Sequence, residues 1–129
     1  MISLRSQLVV KDNSGVKRIR CIRVLKAKPK AVGYCGDTIL ASVVSVKPGS
    51  EFKRGDLVRA VILSTKKGVR KLGGIAHRYD HNGAALVNKS GQPLATRLTV
   101  PVYEEIRALP SGSKWVSMAR QVLLYKLTI

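Results

Sequence analysis

Acidic residues, cysteine and aromatic side chains are all scarce in this 129-residue chain. Seven Asp and Glu face 24 Lys and Arg, so the formal charge is 24 − 7 = +17, and aromatics make up 5%. Two cysteines are too few for a disulfide scaffold. No apolar run approaches the roughly 18–20 residues of a membrane-spanning helix, and residues 1–10 lack the cleavage site of a secretory signal. These absences exclude a disulfide-rich secreted domain and predict a protein of a reducing compartment with no membrane partner.

Residues for catalysis are also sparse. The only adjacent carboxylate pair, Glu104-Glu105, would point in different directions on a helix, and no phosphate-binding glycine loop is present. Two histidines have an H-x3-H spacing, but the cysteines do not form a C-x2-C pair. We therefore predict no enzyme activity, no cofactor and no metal. The alternative from another class is a zinc-dependent RNA-modifying enzyme whose ligands would be Cys21, Cys35, His77 and His81.

The apolar residues predict a small β-structure. Hydrophobic residues make up 45% of the chain, which is enough for a core beneath a basic surface. Valine and isoleucine together number 24, and these β-branched residues favour strands. Turn signals recur about every 8–12 residues, which is typical of a barrel or sandwich. The predicted strands are Gln7–Val10, Ile19–Leu25, Thr38–Lys47, Leu57–Ser64, Ile75–Tyr79, Ala84–Asn88 and Leu94–Val100.

The hydrophobic period changes after Pro101. Val102, Ile106 and Leu109 recur at helical spacing, and a second helical face begins at Trp115. This second face continues through Met118/Ala119 and Val122/Leu123. We therefore predict a single domain over residues 1–129, with a mainly β barrel to about residue 101 and a helical C-terminal part over about 102–129.

Positive charge is concentrated in two segments. Residues 1–30 hold nine Lys and Arg opposed only by Asp12, and Thr65–Lys71 holds four around Gly68. On a +17 domain, these clusters predict nucleic-acid binding. Because stacking aromatics, a helix-turn-helix pattern and zinc-finger spacing are missing, recognition of folded RNA by shape and phosphate is favoured. A free basic nucleic-acid-packaging protein, which would also bind duplex DNA, remains the alternative. The alternation in Leu94–Val100 turns Arg97 outward.

Six sequence strings occur in the order of one known family. The strings are D-N-S-G at Asp12–Gly15, C-I-R-V at Cys21–Val24, K-R-G-D at Lys53–Asp56, A-V-I-L-S-T-K-K-G-V-R at Ala60–Arg70, R-Y-D-H-N at Arg78–Asn82 and Q-P-L-A-T-R at Gln92–Arg97. Through these strings the chain resembles the universal ribosomal large-subunit protein fourteen family of the bacterial and organellar type, over essentially residues 1 to 123.

The resemblance implies a small five-stranded β-barrel with short C-terminal helices, which acts as a structural constituent of the large ribosomal subunit in translation. It implies binding to large-subunit rRNA and a place at the subunit interface. There the chain would contribute to an intersubunit bridge with small-subunit rRNA, beside large-subunit protein nineteen, and a ribosome silencing factor could dock. The implied rRNA-binding residues are Lys11, Asn13, Lys17, Arg18, Arg20, Arg23, Lys66, Lys67, Arg70, Lys71 and Arg78. The implied partner surface consists of Thr96, Arg97 and Lys114.

Several positions depart from the pattern of this family. Ala95 replaces the glycine that usually precedes Thr-Arg, Glu104 replaces an arginine, and Arg120-Gln121 replaces Pro-Glu. These departures indicate a divergent ribosome, and we expect the mitochondrial matrix. A bacterial cytoplasm or a plastid is the alternative location.

Overall fold

A computed structural model describes the chain at residues 2–3, 5–25, 32–33, 36–65, 69–70, 76–77, 81–99, 102–103, 114–115, 117 and 122–123. At 69–70, 76–77, 102–103 and 122–123 only the backbone is described. Nine strands lie within these residues. They are β1 Gln7–Val10, β2 Val16–Val24, β3 Thr38–Val46, β4 Leu57–Ser64, β5 Val69–Arg70, β6 Ala76–His77, β7 Gly83–Val87, β8 Val102–Tyr103 and β9 Val122–Leu123.

Five of the strands form a closed barrel in the order β1-β2-β3-β4-β7. Neighbouring strands pair antiparallel, except that β1 and β7 close the barrel in parallel. Closure removes the unpaired strand edges that otherwise invite aggregation. The mainly β barrel predicted from the residues, with the five strands that the family resemblance implies, is confirmed.

The barrel interior is filled by aliphatic side chains, because alternate residues of each strand point inward. In β3, for example, Ile39, Ala41 and Val43 are buried, whereas the residues between them are half-buried. The interior cluster consists of Ile2, Leu8, Val10, Val16, Ile19, Cys21, Val24, Ile39, Ala41, Val43, Val58, Ala60, Ile62, Ala84 and Leu86.

A second cluster lies on the outside of the barrel over β4 and β7. Both faces of β7 and of residues 60–64 in β4 are buried, since Val61, Leu63, Ala85 and Val87 belong to this outer cluster rather than to the interior. It is completed by Ala95, Leu98 and Trp115 from the C-terminal third of the chain. These three residues are therefore held on the barrel wall by packing, with Trp115 fully buried.

The predicted strand Leu94–Val100 is wrong. Its described part, to residue 99, contains no strand and one isolated bridge, between Leu98 and Asp12. A second isolated bridge, between Pro93 and Val87, lies just before the segment. The predicted alternation also fails, because Leu94 is 47% exposed while Ala95 is buried. Only the Leu94 amide bonds a strand, at the Leu86 carbonyl of β7, 3.1 Å away. The amides of Thr96, Arg97 and Thr99 bond instead to the turn between β1 and β2, so no strand ladder forms. Arg97 is exposed, as expected.

The helical assignment of Val102 and of Val122/Leu123 is also wrong. These residues form β8 and β9, which pair in parallel through Val102↔Val122 and Tyr103↔Leu123. Short apolar runs cannot be assigned by periodicity alone, and valine favours the extended backbone. Helix is present at residues 114, 115 and 117. Ile106, Leu109 and the tail after 123 lie outside the described residues. No helix in the described part of the chain is both long and apolar enough to cross a membrane.

Candidate nucleic-acid interface

Strand β2 carries most of its charge on the outer face of the barrel. Its inward residues are Val16, Ile19, Cys21 and Val24, a spacing of three, two and three rather than a strict alternation. The spacing arises because the pairing with β3 gains an extra β2 residue between Val16 and Arg18 and again between Cys21 and Arg23, while a shift between Arg18 and Ile19 adds one residue on β3. Each shift inserts one extra residue, as in a β-bulge, which re-aims the side chains that follow it. The exposed residues are Lys17, Arg18, Arg20, Ile22 and Arg23.

Neighbouring strands extend this outer surface. Arg20 lies between Gln7 of β1 and Ser42 of β3, and Arg23 lies beside Leu40. Leu40 in turn pairs with the exposed Arg59 of β4. We call the set of Lys17, Arg18, Arg20, Arg23 and Arg59 the outer basic face.

The β2 cations of this face are not neutralised from within the described part of the chain. None of the four β2 side chains forms an ion pair or a side-chain hydrogen bond there. Asp12 is buried, and Asp56 accepts a hydrogen bond from the backbone amide of Lys53 at 2.8 Å. Exposed cations without carboxylate partners create a local positive potential that attracts polyanions.

The predicted basic hairpin is described only in its backbone. Strands β5 and β6 pair antiparallel through Val69↔His77 and Arg70↔Ala76, so a two-stranded ribbon is present at this point of the sequence. Four of the predicted contact residues, Lys66, Lys67, Lys71 and Arg78, lie outside the described residues, as does the side chain of Arg70.

The turn between β1 and β2 contains two further predicted residues, Lys11 and Asn13. Lys11 is half-buried, and its carbonyl accepts the amide of Thr99 at 2.8 Å. Gly15 completes the turn at φ +99°, where a side chain would be strained and its Cβ would lie 2.8 Å from the Ser50 Oγ. Asn13 bonds to the segment that carries Thr96 and Arg97. The turn therefore joins a predicted rRNA residue to the predicted partner surface.

The third predicted partner residue stands next to the outer cluster. Lys114 is exposed, whereas Trp115, which follows it, is fully buried against β4 and β7. Lys114 is therefore held at the surface by the packing of its neighbour.

Cys21, one of the two cysteines considered as zinc ligands, does not share a surface with His81. Cys21 is buried in the barrel interior, and His81 is exposed. Burial raises the pKa of the Cys21 thiol and outweighs the opposing backbone hydrogen bond at Arg23, so the thiolate that zinc prefers is disfavoured. Cys35 and the His77 side chain lie outside the described residues. Among those described, no three His, Cys, Asp or Glu side chains are grouped to hold a metal.

Two exposed arginines at or beside the outer basic face, Arg59 and Arg5, are absent from the predicted site. Arg59 could have been found from its sequence, because it alternates with Val58 and Ala60 in the clearest strand of the chain. Arg5 adopts a left-handed backbone at φ +68°, and its amide bonds the Cys21 carbonyl at 2.8 Å, so it lies at the second irregularity of β2. No sequence signal indicates that conformation at an arginine.

The fold and the outer basic face agree with the family comparison. The profile of the family described as ribosomal protein L14p/L23e matches residues 1–123, which confirms the resemblance carried by the six sequence strings. The chain therefore belongs to the ribosomal protein L14p/L23e family, and it is a structural constituent of the large ribosomal subunit.

Proposed function

We propose that this chain holds large-subunit rRNA against its outer basic face and its β5–β6 hairpin. The observation that carries the proposal is the bulged strand β2, which presents Lys17, Arg18, Arg20 and Arg23 outward from a rigid barrel without described ion-pair partners. A closed barrel fixes the backbone positions from which these cations project before RNA binds, so the complex has to order only their side chains.

The binding is electrostatic in mechanism. Each phosphate that is neutralised by Lys or Arg releases condensed counterions, which makes the affinity fall steeply with salt. Arginine matters more than lysine at sites where one guanidinium bonds two phosphate oxygens. Few aromatic side chains are available for base stacking, since aromatics are 5% of the chain. Recognition by RNA shape and backbone is therefore favoured over reading of single strands.

A second surface would face the small subunit. Thr96, Arg97 and Lys114 are all exposed, and they lie on segments that pack over β4 and β7 rather than on β2. We propose that this surface contributes to an intersubunit bridge with small-subunit rRNA, next to large-subunit protein nineteen, and that a ribosome silencing factor can dock on it. The departures at Ala95 and Glu104 support a divergent ribosome, and we propose the mitochondrial matrix as its location.

Sedimentation tests the proposal against the alternative of a free packaging protein. Lysate from the source is separated on a sucrose gradient at low and at raised salt, and the chain is followed by immunoblot. We expect it to travel with the large subunit and to leave it only at raised salt. Sedimentation at the top of the gradient, together with equal affinity of the purified chain for duplex DNA and rRNA, would instead establish the packaging protein.

A further inference from the structure

We propose that Asn13 is a positioning residue that fixes the Thr96–Arg97 segment for its partner, and is not itself an rRNA ligand. The inference rests on the proposed function of Thr96 and Arg97 as a partner surface. It departs from the sequence prediction, which grouped Asn13 with the rRNA-binding residues.

Both the oxygen and the nitrogen of the Asn13 side-chain amide form hydrogen bonds with this segment. Its Oδ1 accepts the backbone amides of Thr96 at 3.0 Å and Arg97 at 3.2 Å. Its Nδ2 donates to the Thr96 Oγ1 at 2.9 Å. Three hydrogen bonds therefore connect one side chain to two successive residues that lie more than 80 positions away in the sequence.

The turn that carries Asn13 is itself anchored. The buried carboxylate of Asp12 accepts hydrogen bonds from the Leu86 amide of β7 and from Ser14. Two residues before Asn13, the backbone carbonyl of Lys11 accepts hydrogen bonds from both the amide and the hydroxyl of Thr99, at 2.8 and 3.1 Å. Asn13 therefore extends from a turn that Asp12 anchors. The segment that it contacts is also hydrogen-bonded to this turn at Thr99.

The Thr96–Arg97 segment needs such a support. No described strand pairs with it, since the neighbouring bridges are single contacts at Pro93 and Leu98. Ala95 and Leu98 are buried in the outer cluster, whereas Thr96 and Arg97 between them are exposed. Packing thus fixes the two flanking side chains, and the hydrogen bonds of Asn13 fix the backbone between them.

Two substitutions of Asn13 distinguish a positioning role from an RNA contact. The two roles predict opposite rankings of Asn13→Asp and Asn13→Ala by the severity of their effect. Asn13→Asp keeps the acceptor oxygen for both amides, and the Thr96 hydroxyl can turn to donate to the second oxygen. Asn13→Ala removes all three hydrogen bonds. If Asn13 is a positioning residue, Asn13→Asp should retain its function and Asn13→Ala should lose it. An rRNA ligand is harmed more by Asp, since a carboxylate repels phosphate.

Amide hydrogen exchange of the purified full-length chain tests the positioning directly. Loss of a hydrogen bond of ordinary strength raises local exchange by about fivefold, so in Asn13→Ala we expect at least that increase at Thr96 and Arg97. Asn13→Asp should stay within about twofold of the unchanged chain. Exchange at these amides that is unaltered by Asn13→Ala would overturn the proposal, whatever the partner surface does.

A double-mutant cycle tests the link to the partner. Large subunits carrying Asn13→Ala, Arg97→Ala or both are mixed with small subunits, and joining is measured by light scattering. We expect Asn13→Ala to weaken joining about as much as Arg97→Ala, with no further loss in the double variant and recovery in Asn13→Asp. Independent, additive losses would contradict action through Arg97.

Amide exchange and subunit joining together distinguish failure of the positioning role from failure of the proposed partner surface. If Arg97→Ala leaves joining unchanged while Asn13→Ala still raises exchange at residues 96 and 97, the partner surface is wrong and the positioning stands. If the purified Asn13→Asp chain binds rRNA more weakly than the Asn13→Ala chain, Asn13 is an RNA ligand and the inference is wrong.

Discussion

The carboxylate of Asp12 accepts a hydrogen bond from the backbone amide of Leu86 at 2.9 Å, although the two residues are 74 positions apart. The other carboxylate oxygen accepts the Ser14 amide at 3.0 Å and the Ser14 hydroxyl at 2.5 Å. One buried side chain therefore ties the β1–β2 turn to β7, where the barrel closes in parallel.

Replacing Asp12 should destabilise the barrel strongly. Asp12→Ala leaves the buried Leu86 amide without its acceptor, and hydrogen bonds to a charged group are worth about 1.5–3 kcal/mol each. We expect the free energy of unfolding to fall by about 3 kcal/mol in urea titrations. Asp56→Ala is the matched control, because this exposed carboxylate also accepts one backbone amide. Its loss should cost about 1 kcal/mol or less, and equal losses would contradict the anchoring role of Asp12.

Val61 and Ile62 are adjacent residues that belong to different clusters, so charging them should have different results. Ile62→Asp places an unpaired carboxylate in the barrel interior, which is too costly for the fold to survive. Val61→Asp disrupts the outer cluster and should release Trp115 while the barrel persists. Circular dichroism should report loss of the sheet only for Ile62→Asp. Emission of the single tryptophan should shift to the red for both. Complete unfolding by Val61→Asp would show that the clusters are one cooperative core.

Trp115 should tolerate phenylalanine and not alanine. Its Nε1 is buried with no hydrogen-bond partner in the described part of the chain, and an unsatisfied buried donor costs about 1–3 kcal/mol. Trp115→Phe removes that donor while keeping most of the ring volume, so we expect stability within about 1 kcal/mol of the unchanged chain. Trp115→Ala leaves a cavity and should cost about 3–5 kcal/mol. Equal destabilisation by both substitutions in thermal unfolding would contradict this account.

The thiol of Cys21 should make stability fall at alkaline pH. Burial raises its pKa above the ordinary value of 9.0, so the unfolded thiol ionises while the folded thiol keeps its proton. The contribution to stability is thus complete below about pH 9 and is lost as the pH rises towards the folded pKa. In a Cys35→Ser background, stability should fall more steeply above pH 9 with Cys21 than with Cys21→Ala. Identical pH profiles would contradict the burial of the thiol.

Much of the barrel was predictable because its strands alternate or are rich in β-branched residues. Strands β1 and β4 have the predicted bounds, and Thr38–Val46 differs from its prediction by one residue. The irregular backbone of residues 94–99 was not predictable, because it depends on hydrogen bonds from Asn13, more than 80 positions away in the sequence, and on the burial of Ala95 in the outer cluster. Val102 and Val122 pair with each other across twenty residues, and local spacing carries no information about that contact.

The sequence indicated which basic residues belong to the candidate site, but not how the fold brings them onto one face. Clustered charge indicated β2, yet only the register shifts beside Val16 and Cys21 explain how four cations share one face. The family resemblance named Asn13 without revealing that its side chain is engaged by Thr96 and Arg97. Arg59 joins the same face only through pairing of β4 with β3.

The salt dependence of rRNA binding tests the outer basic face most directly. We compare the unchanged chain with three quadruple alanine variants of equal charge loss and plot log affinity against log salt concentration. The first removes Lys17, Arg18, Arg20 and Arg23, the second the hairpin set Lys66, Lys67, Arg70 and Lys71, and the control removes Lys47, Lys53, Arg54 and Lys89. At about 0.7–0.9 per lost phosphate contact, the first two should each flatten the slope by roughly 3–4 units, and the control by less than about 1. A slope that is unchanged by the β2 variant and flattened by the control would contradict the account.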